Sequence, residues 1–183
     1  MMGVADLRHE HDEITIMLDI LEKICKLLDA GEDVNHEHLK QLHDFMVGFV
    51  DECHHAKEEK SLFPTLESID GDESKKLIEI LLTEHKTGRK YAKIIGEAIS
   101  DNDKIDTQNR SKLVKYGRYY IRLIVQHIDK ENNILFTMAE KKLSGEQNQK
   151  LFEEFEILEK EKIGVGRHEQ LHEIIHQLAD VYL

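Results

Sequence analysis

The chain has 183 residues, 34% charged and 40% hydrophobic, with one proline and no tryptophan, which suits one helical domain with room for an appendage. Its 37 acidic residues outnumber 25 basic ones for a net charge of -12, which excludes a broad basic face and with it nucleic acid as a partner. Two cysteines are too few for a disulfide framework, no apolar run reaches the ~18–20 residues of a membrane span, and the opening MMGVADLRHEHDE lacks a signal-peptide pattern, so a cytoplasmic protein with no membrane partner is expected.

The first helix is expected roughly from Asp6 to Ala30, with Ile14, Leu18, Leu21, Cys25 and Leu28 on one stripe and Gly31 as its stop. A second starts at the N-cap Asn35, turns Leu39, Leu42, Met46 and Phe49 inward, and should end or kink at Pro64. After a turn at Gly71 and Asp72, a third runs to about Ile99 with Leu77, Leu81, Ala92, Ile95 and Ile99 on one side. The polar stretch Ser100 to Thr107 leads into a fourth, about Arg110 to Leu143, carrying Leu113, Tyr116, Tyr120, Leu123 and Ile134. Ser144 with Gln147 reads as a capping box for a fifth helix, and Gly164 and Gly166 break it before a last one from Arg167 to Tyr182. Short connections between long amphipathic helices predict an all-α, up-down-up-down antiparallel four-helix bundle over residues 1–143, with a two-helix C-terminal extension over 144–183 packed on or beside it.

The chain repeats itself. Glu10-His11 in the first helix answers Glu84-His85 in the third, and HHAKEEKSLF from His54 answers HIDKENNILF from His127. His85 lies 74 residues after His11, while His127, Glu131 and Phe136 lie 73 after His54, Glu58 and Phe63. A nearly constant shift between two helical hairpins implies a pseudo-twofold bundle. Residues four apart share a helix side, so His54 with Glu58 and His127 with Glu131 each offer an imidazole and a carboxylate to a common point. His11 and His85 fall on apolar stripes. Four helices thus send His11, His54, Glu58, His85, His127 and Glu131 into one core, where each unpaired charge would cost several kcal/mol. A cation removes that cost. Imidazole with carboxylate suits iron, manganese or zinc, and the set exceeds a tetrahedral zinc site. Two octahedral metals offer about twelve positions; the six side chains fill about eight and a shared oxide or hydroxide about two more, leaving room for a small molecule.

These motifs — EHxxI, HHxxEExxLFP, EH and HIxKExxxLF, over about residues 6 to 143 — resemble the hemerythrin-like, or HHE cation-binding, family. The resemblance implies a bundle carrying two iron ions with a bridging oxide or hydroxide, ligated by His11, His54, Glu58, His85, His127 and Glu131, and handling oxygen, peroxide or nitric oxide. Oxygen carriers of that family bring two histidines four apart on the third helix. Here the neighbours of His85 at that step are Leu81 and Arg89, which leaves one metal more open and argues against plain oxygen carriage. The expected function is a di-iron protein that binds or senses oxygen, nitric oxide or peroxide in oxidative or nitrosative stress or iron handling. Alternatives are an enzyme reducing peroxide or nitric oxide, or a metal store.

Several positions admit two readings. His55 and Glu59 share the four-residue step of His54 and Glu58; the repeat favours the latter pair and leaves the former as supporting or surface groups. Tyr120 faces the His127 side, as a hydrogen-bond donor to a bound oxygen species or as plain core. His9, His36, His38 and His43 are expected in solvent. His168, His172 and His176 form one stripe on the last helix, either a solvated or interface face or an accessory metal site.

Overall fold

A computed structural model describes residues 3–70, 72–99 and 105–183. Among them the chain is helical with no strand: α1 (Gly3–Asp29), α2 (36–70), α3 (Asp72–Ile99), α4 (107–142), α5 (Gly145–Lys162) and α6 (Arg167–Tyr182). Gly71 of the expected turn and residues 100–104 of the expected connection lie outside the described residues. Among the described residues no helix is long and apolar enough to cross a membrane.

Local chemistry sets the ends. Asn35 accepts the Glu37 N–H at 2.9 Å, Asp106 accepts that of Asn109 at 2.8 Å, and Ser144 and Gln147 close a reciprocal capping box. At the end of α1, Gly31 takes φ +83°, and the N–H groups of Gly31 and Glu32 close on the carbonyls of Leu28 and Leu27. This left-handed exit satisfies carbonyls that the helix leaves open.

Of the two outcomes expected at Pro64, an end or a kink, the end does not occur. Helix α2 continues past it to Asp70, because π-helical turns at Phe45–His55 and Glu58–Leu62 precede the proline. The Phe63 N–H reaches Glu58 O, five residues back, so the ladder slips by one just before the ring. A widened turn accommodates a proline that an α-turn would press against a carbonyl. The equivalent slip recurs at Glu131–Leu135, where the Phe136 N–H reaches Glu131 O. It corrects a second expectation: Ile134 is 50% exposed, and Leu135 and Phe136 take the core instead. Leu77, Tyr116 and Leu123 are only partly buried.

The apolar residues form two cores. One gathers Ile14 to Leu28 of α1, Leu39 to Val50 of α2, Ala92 to Ile99 of α3, Leu113 to Ile124 of α4, and Leu171, Ile175 and Leu178 of α6. The other gathers Val4, Leu7, Leu62, Phe63, Leu66, Ile78, Leu81, Leu135, Phe136 and Ala139 with Leu151 and Phe155 of α5. Along each of the first four helices, the histidine and glutamate positions fall between the residues of one core and those of the other. The C-terminal helices therefore complete both cores. Leu135→Ala should cost about 2–5 kcal/mol in denaturant unfolding, and Ile134→Ala less than about 1 kcal/mol, which checks the register slip directly.

Candidate metal centre

Each of the six residues singled out by the repeat is buried, with Glu58 and Glu131 at 0% exposure. Their Nε2 and carboxylate atoms converge. His11 Nε2 lies 3.0 Å from His54 Nε2, and His85 Nε2 lies 3.1 Å from His127 Nε2. Metal–nitrogen bonds of about 2.1 Å place neighbouring octahedral ligands about 3.0 Å apart, so this is the spacing two imidazoles adopt around one cation. Each carboxylate reaches both pairs. Glu58 sets one oxygen 3.6 Å from His54 Nε2 and the other 3.4 Å from His85 Nε2. Glu131 sets one oxygen 3.2 Å from His11 Nε2 and the other 3.1 Å from His127 Nε2. The result is two clusters that share Glu58, one with His11, His54 and Glu131 and the other with His55, His85 and His127.

The far side of each ring is held by an acceptor, and the repeat governs these too. Glu10 binds His54 Nδ1 at 2.7 Å, and Glu84 binds His127 Nδ1 at 3.0 Å. Glu59 binds His85 Nδ1 at 2.7 Å, and Asn132 binds His11 Nδ1 at 3.0 Å. Thus the glutamate of each EH pair orients the histidine of the following helix, and the residue after each bridging glutamate orients the histidine of the other hairpin. An acceptor on Nδ1 puts its proton there and directs the Nε2 lone pair inward. Lys57 and Lys130 close the pattern by donating to Glu10 and Glu84.

The electrostatics follow from this packing. Burial works against charge on His127, but Glu131, Glu84 and Glu58 outweigh it and push its pKa up to about 10. His54 and His85 are raised in the same contest, burial opposing and carboxylates prevailing. Glu131 is held well below the usual carboxylate range, burial being overcome by His127 and His11. His55 goes the other way: burial, reinforced by the positive His85 and His127, drives its pKa well down.

Four carboxylate oxygens, two on Glu58 and two on Glu131, are buried without a hydrogen-bond donor among the described residues. Buried polar atoms of this kind are rare in folded proteins, and orphaned acceptors surrounded by inward lone pairs fit cations. The family pattern described as the hemerythrin HHE cation binding domain matches residues 2–139.

The chain belongs to the hemerythrin HHE family.

Three curated relatives of this HHE protein, uncharacterized proteins of Mycobacterium bovis and of two Mycobacterium tuberculosis strains, are each 23% identical over 176 residues. The match covers 96% of this chain and 67% of each relative. No solved structure matches.

Other positions differ from expectation. His55 is buried within the centre, its ring stacked on His85 at 3.8 Å, because the π-helical stretch of α2 turns both His54 and His55 inward. Glu59 is half-buried on His85 and so is a supporting group. Of the histidines expected in solvent, only His9 is exposed; His38 meets the Tyr182 hydroxyl and His43 donates to Ala92 O, each at 3.0 Å. His36 is half-buried. The supporting role of Glu59 was one of its two sequence readings, whereas those of Glu10, Glu84 and Asn132 were not assigned from sequence, although all four sit at repeat-equivalent positions. Removing either carboxylate, in Glu10→Ala or Glu84→Ala, should lower cation affinity about 10–100-fold, measured by competition with a chelator.

Proposed function

We propose that this HHE protein holds two iron ions through His11, His54, Glu58, His85, His127 and Glu131, and binds or senses oxygen, nitric oxide or peroxide there. The observation that carries this reading is the pair of fully buried carboxylates, each spanning the two imidazole pairs with all four oxygens lacking donors. Six mixed nitrogen and oxygen ligands exceed a tetrahedral zinc site and suit two metals sharing bridges. Bound iron would supply reversible redox chemistry and an open position for a small molecule. His55 is left out of the ligand set, since a ring stacked face to face on His85 cannot aim its lone pair at the same ion.

The residues around the centre divide the remaining work. A cavity of about 380 Å³, lined by Met46, Val47, Gly88 and Ala92, reaches His55 and Tyr120 at the edge of the His85 cluster. Gly88 and Arg89 line this cavity on α3, about one turn after His85, so the passage leads toward the His85 cluster. Arg89 is tied back by Asp51 at 2.6 Å and Glu59 at 2.8 Å. Burial pushes the Tyr120 pKa up, so its hydroxyl stays protonated as a hydrogen-bond donor. This open approach favours a second reading, catalytic reduction of peroxide or nitric oxide.

For the bundle itself, we infer the up-down-up-down antiparallel arrangement over residues 1–143, with 144–183 as its extension. Its support is that Arg110, near the start of α4, reaches the Leu28 carbonyl at the end of α1, while Arg8, near the start of α1, reaches Asn132 and Glu140. Two free, buried cysteines suit the reducing cytoplasm we assign.

Anaerobic loading should give two iron(II) per chain, and admission of air or nitric oxide should produce a new absorption band. A band that reverses on removing the gas supports binding or sensing; irreversible oxidation with turnover of added peroxide supports the enzyme; two metals with no spectral response, or zinc in protein from its native host, overturns the iron reading. His54→Ala and His127→Ala should each lower iron content and melting temperature together, because metal binding is linked to folding, while His55→Ala keeps two irons. Unchanged iron content in both of the former variants would remove these residues from the ligand set.

A further inference from the structure

The histidine stripe on α6 does not act as one face. His168 turns toward Glu10 and Glu159, joining the network around Lys57. His172 and His176 turn instead to Glu13 on α1. Glu13 Oε2 lies 3.4 Å from His172 Nδ1 and 3.1 Å from His176 Nε2. The Glu13 side chain is only 8% exposed, and Oε2 has no hydrogen-bond donor among the described residues. A buried carboxylate oxygen aimed between two imidazole nitrogens and bonded to neither is an acceptor awaiting a cation.

We propose that Glu13, His172 and His176 form a further divalent transition-metal site of the zinc class, separate from the main centre, that clamps α6 onto α1. Zinc bonds of about 2.0–2.1 Å in tetrahedral geometry put ligand atoms about 3.3 Å apart, which lies between the two separations of 3.1 and 3.4 Å. The two histidines stand four apart and so share a side of α6. Two imidazoles and one carboxylate leave a fourth position, and His176, 57% exposed, borders solvent, which provides the entry path and that last ligand, a water. The His172 ring is braced edge-on by Phe49 and by His168. The site would join the C-terminal extension to the helix that bears His11, two residues from Glu13.

The test compares zinc uptake by the full chain and its variants after the main centre has been filled with iron(II) anaerobically, using calorimetry and total metal analysis. Wild type should take up one more zinc per chain than His176→Ala, and zinc should raise its melting temperature more than that of His176→Ala. Glu13→Gln, which keeps the buried shape, should weaken zinc at least tenfold. His54→Ala should keep the extra zinc, which separates this site from the main one. Because His176 is largely exposed, its variant is expected to fold, with circular dichroism as the check. Equal zinc uptake by wild type, His176→Ala and Glu13→Gln would overturn the site. A chain that loads no iron would contradict the main-centre reading and leave the zinc difference readable.

Discussion

Two fully buried glutamates and four buried histidines occupy one layer between two apolar cores, and the fold has to satisfy that layer. Apolar burial on either side supplies the driving force for collapse, at roughly 25 cal/mol for each Å² removed from water. The polar layer works against it unless every group is paired, because an uncompensated buried charge costs several kcal/mol. The structure divides the problem. Each of the four histidines gives its outer nitrogen to an acceptor within the protein, and its inner nitrogen faces the Glu58 and Glu131 oxygens, an arrangement a cation would complete. Preformed geometry of this kind places the donor atoms before a metal arrives.

The pseudo-twofold repeat extends beyond the inner groups to the residues that orient them, but its environment is not symmetric. The C-terminal helices cover one half, where Lys57 is 2% exposed and is shared among Glu10, Asp6 and Glu159. Its counterpart Lys130, 30% exposed, has Glu84 as its one acidic partner among the described residues. The His85 side carries the cavity and the Arg89 tether, whereas the His54 side is packed against the extension. Two chemically similar positions thus differ in solvent access.

The π-helical turns are where these levels meet. They begin at Glu58 and Glu131, the two bridging residues, and their one-residue slip brings Leu62 and Phe63, or Leu135 and Phe136, under the site. The first π-helical stretch also turns His55 inward beside His54. Such turns have poorer hydrogen bonds than α-helix and persist where tertiary contacts hold them, often at functional sites.

The sequence by itself determined the helical class, the caps at Asn35 and Ser144, the breaks at Gly31 and the Gly164–Gly166 pair, and the identity of six inward polar residues. Those follow from local rules: period 3.6, side-chain caps, glycine at positive φ, and a repeat that fixes register. Tertiary structure alone decided that α2 runs through Pro64, that Leu135 replaces Ile134 in the core, and that His55 enters the centre, because the ladder slip depends on packing rather than propensity. It also decided which acceptors face each ring and how the α6 histidines divide between Glu10 and Glu13. Those pairings join residues far apart in the chain, and nothing in local spacing records how two helices rotate against each other.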